Sequence, residues 1–234
     1  MKPKIILTLT VLFWVISDSL ALIYDFSTKN QLNDWEVVID KGKWEIRDGV
    51  LSFEGDNSVV KPGIVTGKEN WSDYTFEFKL RNAKKGDHPY IHAGLRYVDL
   101  DNCEVFQMNK ARLWHRPYVN GQERPWGPAP EIAIGKYSWF DEGAPKEGAF
   151  PESGDWYKVK FQLKGNQYTV WLEGQKILDF QFDEGAPKGK VGLGVYLGHI
   201  EFDDFKIDGP GIPSSEVKPS GKLATTWGRM KNGE

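Results

Sequence analysis

Residues 73–81 read DYTFEFKLR, with Tyr74, Phe76, Phe78 and Leu80 on one face and Thr75, Glu77, Lys79 and Arg81 on the other. The pattern returns in DWYKVKFQL, where Tyr157, Val159, Phe161 and Leu163 alternate with Trp156, Lys158, Lys160 and Gln162. In QYTVWLE the apolar face is Tyr168, Val170 and Leu172. A period of two, enriched in aromatic and β-branched residues, makes half-buried antiparallel strands. Turn residues separate the runs: Asp48-Gly49, Lys164-Gly165-Asn166 and Glu173-Gly174-Gln175. No window carries an apolar stripe at helical spacing with caps. Many short strands with tight turns and no helices between them predict an all-β sandwich or barrel.

The two ends read differently. Lys2 and Lys4 precede an apolar run from Ile5 to Ile16, and Ser19-Leu20-Ala21 supplies small residues at a cleavage point. This predicts a signal peptide over 1–21, a secreted or periplasmic protein, and no membrane span after cleavage. From 22 to 209 the chain is long enough for a single β domain with its own core. Residues 210–234 are rich in Pro, Gly, Ser and Lys without alternation, and are expected to form a flexible tail. The net charge of −3, with no basic run, gives no electrostatic reason to bind nucleic acid. Cys103 is the only cysteine, so stability must come from the core without an internal disulfide.

The heptad FDEGAPK occurs at 140–146 and again at 182–188, but the flanking sequences do not align. A repeated domain would be self-similar along its whole unit. Gly permits positive φ and Pro extends the residue before it, so the heptad reads as a turn recipe used twice on the rim of the domain. The stretch from Asn109 to Ser153, with Trp114, Trp126, Trp139 and six prolines, reads as a long loop, functional or mobile.

The segments YIHAGLRYVDLDNCEVFQM, GDWYKVKFQLKGNQYTVWLEGQKILDF and GKVGLGVYLGHIEFDDFKIDG together resemble the concanavalin A-like lectin/glucanase superfamily. Within it the chain is most similar to the family named for 3-keto-disaccharide hydrolases, and more loosely to laminin-G-type domains. The resemblance covers roughly residues 22–209. It implies a jelly-roll sandwich of two antiparallel sheets, with an oligosaccharide or polysaccharide bound across a concave face. The family pattern has an Asn-Ser-Gly-like segment where this chain has His92-Ala93-Gly94, and a Glu-x-Gln-like strand at Glu104-Val105-Phe106-Gln107. Gly94, Arg96 and Glu104 match; His92 and Ala93 are replacements, and Gln107 is one residue out of phase.

Period two applied to YIHAGLRY puts Ile91, Ala93 and Leu95 inward and His92, Gly94 and Arg96 outward. With the resemblance, this nominates Glu104, Arg96 and His92 as catalytic residues. In VGLGVYL, Val191, Leu193, Val195 and Leu197 share one face; Gly192, Gly194 and Tyr196 share the other. The two glycines leave room for something to approach, or relieve sheet curvature, and Tyr196 offers a stacking ring. Arg112 and Trp114 complete the expected substrate-binding set. The Glu-x-Asp-x-x-Glu spacing of sandwich glucanases, the Gly-x-Ser-x-Gly elbow and zinc-type ligand spacing are all absent from the sequence.

Phe202 and Phe205 are three apart, so either a bulge intervenes or Asp204 points inward. The resemblance implies a structural Ca²⁺ held partly by Asp204, with Asp25 assisting. Three functions remain open at this level: a glycoside hydrolase relative acting on 3-keto-disaccharides or glycans, a non-catalytic carbohydrate-binding module, and an adhesion module.

Overall fold

The computed structural model describes residues 21–56, 59–84, 89–108, 113–124 and 154–215. The alternating runs form two antiparallel sheets packed face to face. In sheet order, the first holds β13 (Gln175–Gln181), β12 (Gln167–Leu172), β11 (Tyr157–Lys164), β6 (Tyr74–Asn82), β15 (Leu197–Asp208), β4 (Val50–Asp56) and β3 (Lys43–Arg47). Its eighth strand, β1 (Leu22–Tyr24), pairs with the end of β15. The second sheet runs β10 (Gln122–Glu123), β9 (Leu113–Val119), β8 (Asn102–Met108), β7 (Ile91–Asp99), β14 (Lys190–Val195), β5 (Ile64–Thr66) and β2 (Glu36–Val37). This is the jelly-roll sandwich the sequence and its resemblance predict. Among the described residues no helix is long and apolar enough to cross a membrane.

Burial follows the alternation. Strand β6 is buried at every second residue, and β11 repeats the pattern against it, with Phe76 opposite Phe161. Between the sheets Phe76, Phe78, Phe161, Phe202 and Phe205 are buried, and Phe106 of the second sheet reaches Phe161 at a ring-centroid distance of 5.1 Å. Removing such apolar area from water is the main force holding the sheets together. The hairpins β3–β4 and β12–β13 turn on Asp48-Gly49 and Glu173-Gly174, all four with φ between 50° and 80°. Two successive left-handed residues match the right-handed twist of the strands.

Three details differ from the sequence expectations, and at Asp204 one of two open alternatives is decided. Leu197 does not join the buried face of Val191, Leu193 and Val195; it is 46% exposed. The chain leaves the second sheet after Val195 and enters the first at Leu197, so the alternation restarts there. The expected long loop holds strands β9 and β10, whose inward positions include His115 and Pro117, which hide the apolar alternation. At Asp204 the bulge alternative holds: the register of β15 against β6 shifts between Asp203 and Lys206, and Asp204 has φ 48°. Finally, packing continues beyond Gly209. Ile212 is buried, and the Ser215 hydroxyl accepts the Ile23 N–H at 2.9 Å. Residues 1–20 of the expected signal peptide, the remainder of the tail and the first FDEGAPK heptad lie outside the described residues; Ala21, its last residue, is buried and accepts the Ser215 N–H.

Candidate functional site

Strands β7, β8, β9 and β14 are the middle of the second sheet. Their register sets His92 beside Gln107, Gln107 beside Trp114, Val105 beside Arg116, and Gly194 beside His92. The inward residues Ile91, Ala93, Phe106, Met108 and Leu113 fill the core. Period two therefore turns His92, Gln107, Trp114 and Arg116 to the outer face. An open cleft of about 490 Å³ lies there, lined by Val60, Tyr90, Gln107, Trp114, Arg116 and Tyr196. Tyr90 is stacked with Trp114 at 6.2 Å and meets Tyr196 edge-on at 5.8 Å. All three rings are partly exposed.

The polar wall of the cleft has one hydrogen-bond direction. Arg116 binds Glu123 through Nε and Nη2, both at 2.8 Å, and donates from Nη1 to Gln107 Oε1 at 2.8 Å. Since a guanidinium only donates, the amide oxygen of Gln107 must face it. The amide nitrogen then donates to His92 Nε2 at 3.3 Å, and His92 Nδ1–H donates to the Lys61 carbonyl at 3.3 Å. His92 is fully buried. Desolvation pushes its pKa down to about 3, the Lys61 bond opposing and the Arg116 charge reinforcing. It is a neutral imidazole with its lone pair held by Gln107. Arg116 is raised further above its ordinary value, chiefly by its bonds to Glu123.

Gly94, Gly192 and Gly194 do leave room for a close approach, and the chain itself makes it. A side chain at Gly94 would meet Pro62, one at Gly192 would meet Ile64 O at 2.7 Å, and one at Gly194 would meet Lys61 O at 2.5 Å. Residues 61–63 form a strap across these glycines, tied by the Gly63 N–H to Leu193 O at 2.8 Å. Gly192 and Gly194 thus seat the strap and do not line the cleft. Val60, at its start, does.

Arg96 and Glu104 do not converge with His92. Glu104 opposes Leu95 and faces the interior, 1% exposed. Arg96 sits on a bulge with φ 46°, which swings its guanidinium to the end of the sandwich. Both Arg96 Nη1 (2.9 Å) and Glu104 Oε1 (2.7 Å) bond the hydroxyl of Tyr168, so the phenol relays the cation to the carboxylate. Glu104 Oε2 accepts from His115 Nε2 at 3.0 Å. Arg96 also donates to Ser72 O, Gly165 O and Ala186 O. The second heptad closes this network. Phe182 meets the His115 ring at 4.9 Å, and Gly185 lies so close to the Glu104 carboxylate that a Cβ there would overlap Oε1. The buried charges are mutually compensated, which is what keeps a carboxylate and a guanidinium stable between two sheets.

The donors expected for calcium do not fit it. Asp204 is half exposed and paired with Lys79 Nζ at 2.6 Å, while Asp25 Oδ1 accepts from Ser27 and Gln31. Calcium takes six to eight oxygens. Among the described residues no group of three or more His, Cys, Asp or Glu is placed to hold a metal ion. Cys103 is buried, and desolvation raises its thiol to about 12, so it is no nucleophile.

Of the site residues expected from sequence, His92, Trp114 and Tyr196 reach the cleft or its wall, and Arg112 lies outside the described residues. Tyr90, Gln107 and Arg116 were not anticipated as site residues. Arg116 was legible in principle, two positions from Trp114 on the same strand face. Gln107 is one residue out of phase with the Glu-x-Gln pattern, and it and Glu104 point to opposite faces.

Comparison with known proteins extends these observations. The fold is similar to carbohydrate-binding module CBM66 from Bacillus subtilis, with 15% identity, a TM-score of 0.54, and coverage of 75% of this chain and 96% of that one. It is similar to a Bacillus subtilis protein with a galectin-like fold, with 14% identity, a TM-score of 0.51, and coverage of 80% and 94%. A third likeness is to xylan β-1,4-xylosidase from Bacillus halodurans, with 11% identity and a TM-score of 0.52; it covers 80% of this chain but 39% of the xylosidase. At these identities the likeness is one of fold. No curated protein matches the sequence. A family model described as a 3-keto-alpha-glucoside-1,2-lyase-like domain matches residues 25–208, nearly the whole sandwich, and the chain belongs to that family.

Proposed function

We propose that the cleft binds a saccharide and that the protein cleaves 3-keto-α-glucosides there by 1,2-elimination. The observation that carries this reading is the polar wall opposite the three rings. Arg116 makes two bonds to Glu123 and one to Gln107, Gln107 makes one to His92, and the N–H groups left on both side chains are donors for a ligand oxygen. Rings suit the apolar face of a sugar, and a wall of donors suits an oxygen that only accepts. A ketone is such an oxygen. A ketone at C3 also acidifies the C2–H bond. Transfer of that proton to a water in the open cleft gives an enolate, whose electrons form the C1=C2 bond as the C1–O bond breaks, and the same water returns the proton to the leaving alkoxide. Donors placed at the enolate oxygen stabilise the charge as it develops.

A second reading, a non-catalytic binding module, is supported by a separate observation: none of the described lining residues is a carboxylate, and the nearest imidazole is buried with its lone pair engaged. One experiment separates them. The protein is titrated with methyl 3-keto-α-D-glucopyranoside and methyl α-D-glucopyranoside, following tryptophan fluorescence, and the mixtures are analysed for methanol and the unsaturated sugar. Release of both products from the keto-glycoside supports the lyase. Saturable binding without product supports the module. Neither binding nor product sinks both. We also infer export, supported by the leader-like residues 1–21; a mature chain that retains Met1 in culture would refute it.

A further inference from the structure

Among the described residues that line the cleft, Arg116 alone carries a charge, and its partner comes from the neighbouring edge strand β10. We propose that Glu123 is a positioning residue that sets the specificity of the cleft: by holding and neutralising Arg116, it makes the site take uncharged saccharides and turn away uronates and other anionic sugars. This assignment rests on the saccharide-binding reading and adds a charge criterion to that same site.

The pair is built by the hairpin. Asn120-Gly121 turns β9 into β10 with φ of 52° and 75°, the two left-handed residues of a tight hairpin turn. The turn is pinned from outside, because the Asn120 N–H donates to Asn102 Oδ1 at 3.0 Å and the Gly121 N–H to Asp101 O at 2.9 Å. The resulting register puts Glu123 opposite Tyr118, on the face that also carries Arg116 and Trp114, and diagonal to Arg116. A slip of one residue would turn the carboxylate to the far face. In register, Glu123 takes the Nε and Nη2 edge of the guanidinium, and Gln107 takes one hydrogen of Nη1. One N–H is left on each terminal nitrogen to meet a ligand oxygen. Those donors carry direction but little net charge, since the carboxylate behind them cancels it. An uncharged hydroxyl or ketone oxygen loses little by this. A ligand carboxylate would give up its hydration for a wall without net charge, and would stand near Glu123. Lys61, on the strap beside Val60, supplies no spare cation: its Nζ lies 3.8 Å from Asp101 and 4.7 Å from the centre of the Tyr118 ring.

The test titrates wild type and Glu123→Gln with methyl α-D-glucopyranoside, its 3-keto form and methyl α-D-glucopyranosiduronate, following tryptophan fluorescence at low and high salt. Glutamine keeps the volume and an acceptor for Arg116 but removes the charge. Wild type is expected to bind the better neutral glucoside at least about tenfold more tightly than the uronate. In Glu123→Gln that ratio should fall by about tenfold, the scale of one unmasked charge at a partly exposed site, and the fall should shrink as salt rises. A merely structural role would weaken all three ligands together and leave the ratio unchanged, which would overturn the assignment while the saccharide-binding reading stands. Wild-type affinity for the uronate equal to or above that for the glucosides would overturn it as well. Failure of the wild type to bind any of the three overturns both. If Glu123→Gln does not fold, Arg116→Gln gives an independent answer. It leaves Glu123 uncompensated beside the cleft, so the preference for neutral ligands should widen; an unchanged or narrower preference refutes the assignment.

Discussion

At the scale of single residues, the second sheet separates two polar systems by one strand step. His92 and Glu104 sit on neighbouring strands, yet one serves the cleft and the other the interior. Each has a distinct signature in solution. Burial pushes the His92 imidazole down to about 3 from its ordinary 6.5, so the unfolded chain binds an extra proton between those values. Stability from this group is complete above pH 6.5 and is lost as pH falls towards 3, with a slope of up to about 1.4 kcal/mol per pH unit. Chemical denaturation at pH 7 and pH 5 should show this loss in wild type and a shallower one in His92→Gln; equal slopes would place the acid sensitivity elsewhere. In the cleft, Trp114→Ala removes a stacking ring and should weaken saccharide binding by about 1–2 kcal/mol with little change in melting temperature. On the interior side, Gly185→Ala forces a methyl into the Glu104 carboxylate. A loss of about 1–3 kcal/mol in unfolding free energy is expected.

At the scale of elements, the strands were legible because alternation reports burial directly. Strands β6, β11 and β12 came straight from period two. What stayed hidden were the places where the inward face is polar or the period slips. Strand β9 carries His115 and Pro117 inward, and the bulge at Arg96 sends an outward position to the sandwich end. Glu104 is inward by parity, but a carboxylate on that face reads as a surface residue until Tyr168 and His115 are seen to satisfy it. The strap was half legible: the glycines announced a close approach without saying what approaches. If the strap is what they accommodate, Gly192→Ala should lift residues 61–63 from the sheet. Hydrogen exchange at the Gly63 amide, which bonds Leu193 O, should then accelerate well before the core amides do; unchanged protection would mean the sheet itself absorbs the methyl.

At the scale of the molecule, the sandwich closes through its ends. The first described strand, β1, pairs with the last, β15, joining Leu22 to Ile207 across nearly the full domain. Beyond β15 the chain turns back: Ile212 is buried, the Ser215 N–H donates to Ala21 O at 3.0 Å, and the Ser215 hydroxyl accepts from Ile23. These contacts clamp β1, an outer strand that buries Tyr24 against Trp35 and Phe205. Composition alone put the end of the folded body at Gly209, because Pro, Gly and Ser dominate from there and one isoleucine makes no periodic signal. Burying that isoleucine is worth about 2 kcal/mol, and each of the two hydrogen bonds about 1 kcal/mol. A chain spanning 21–215, which keeps Ala21, should therefore exceed one spanning 21–209 by about 3–4 kcal/mol in unfolding free energy. At this domain size that is a melting-temperature difference on the order of 10 °C. Coincident melting curves for the two truncations would show that β1 holds its place on β15 without the returning segment.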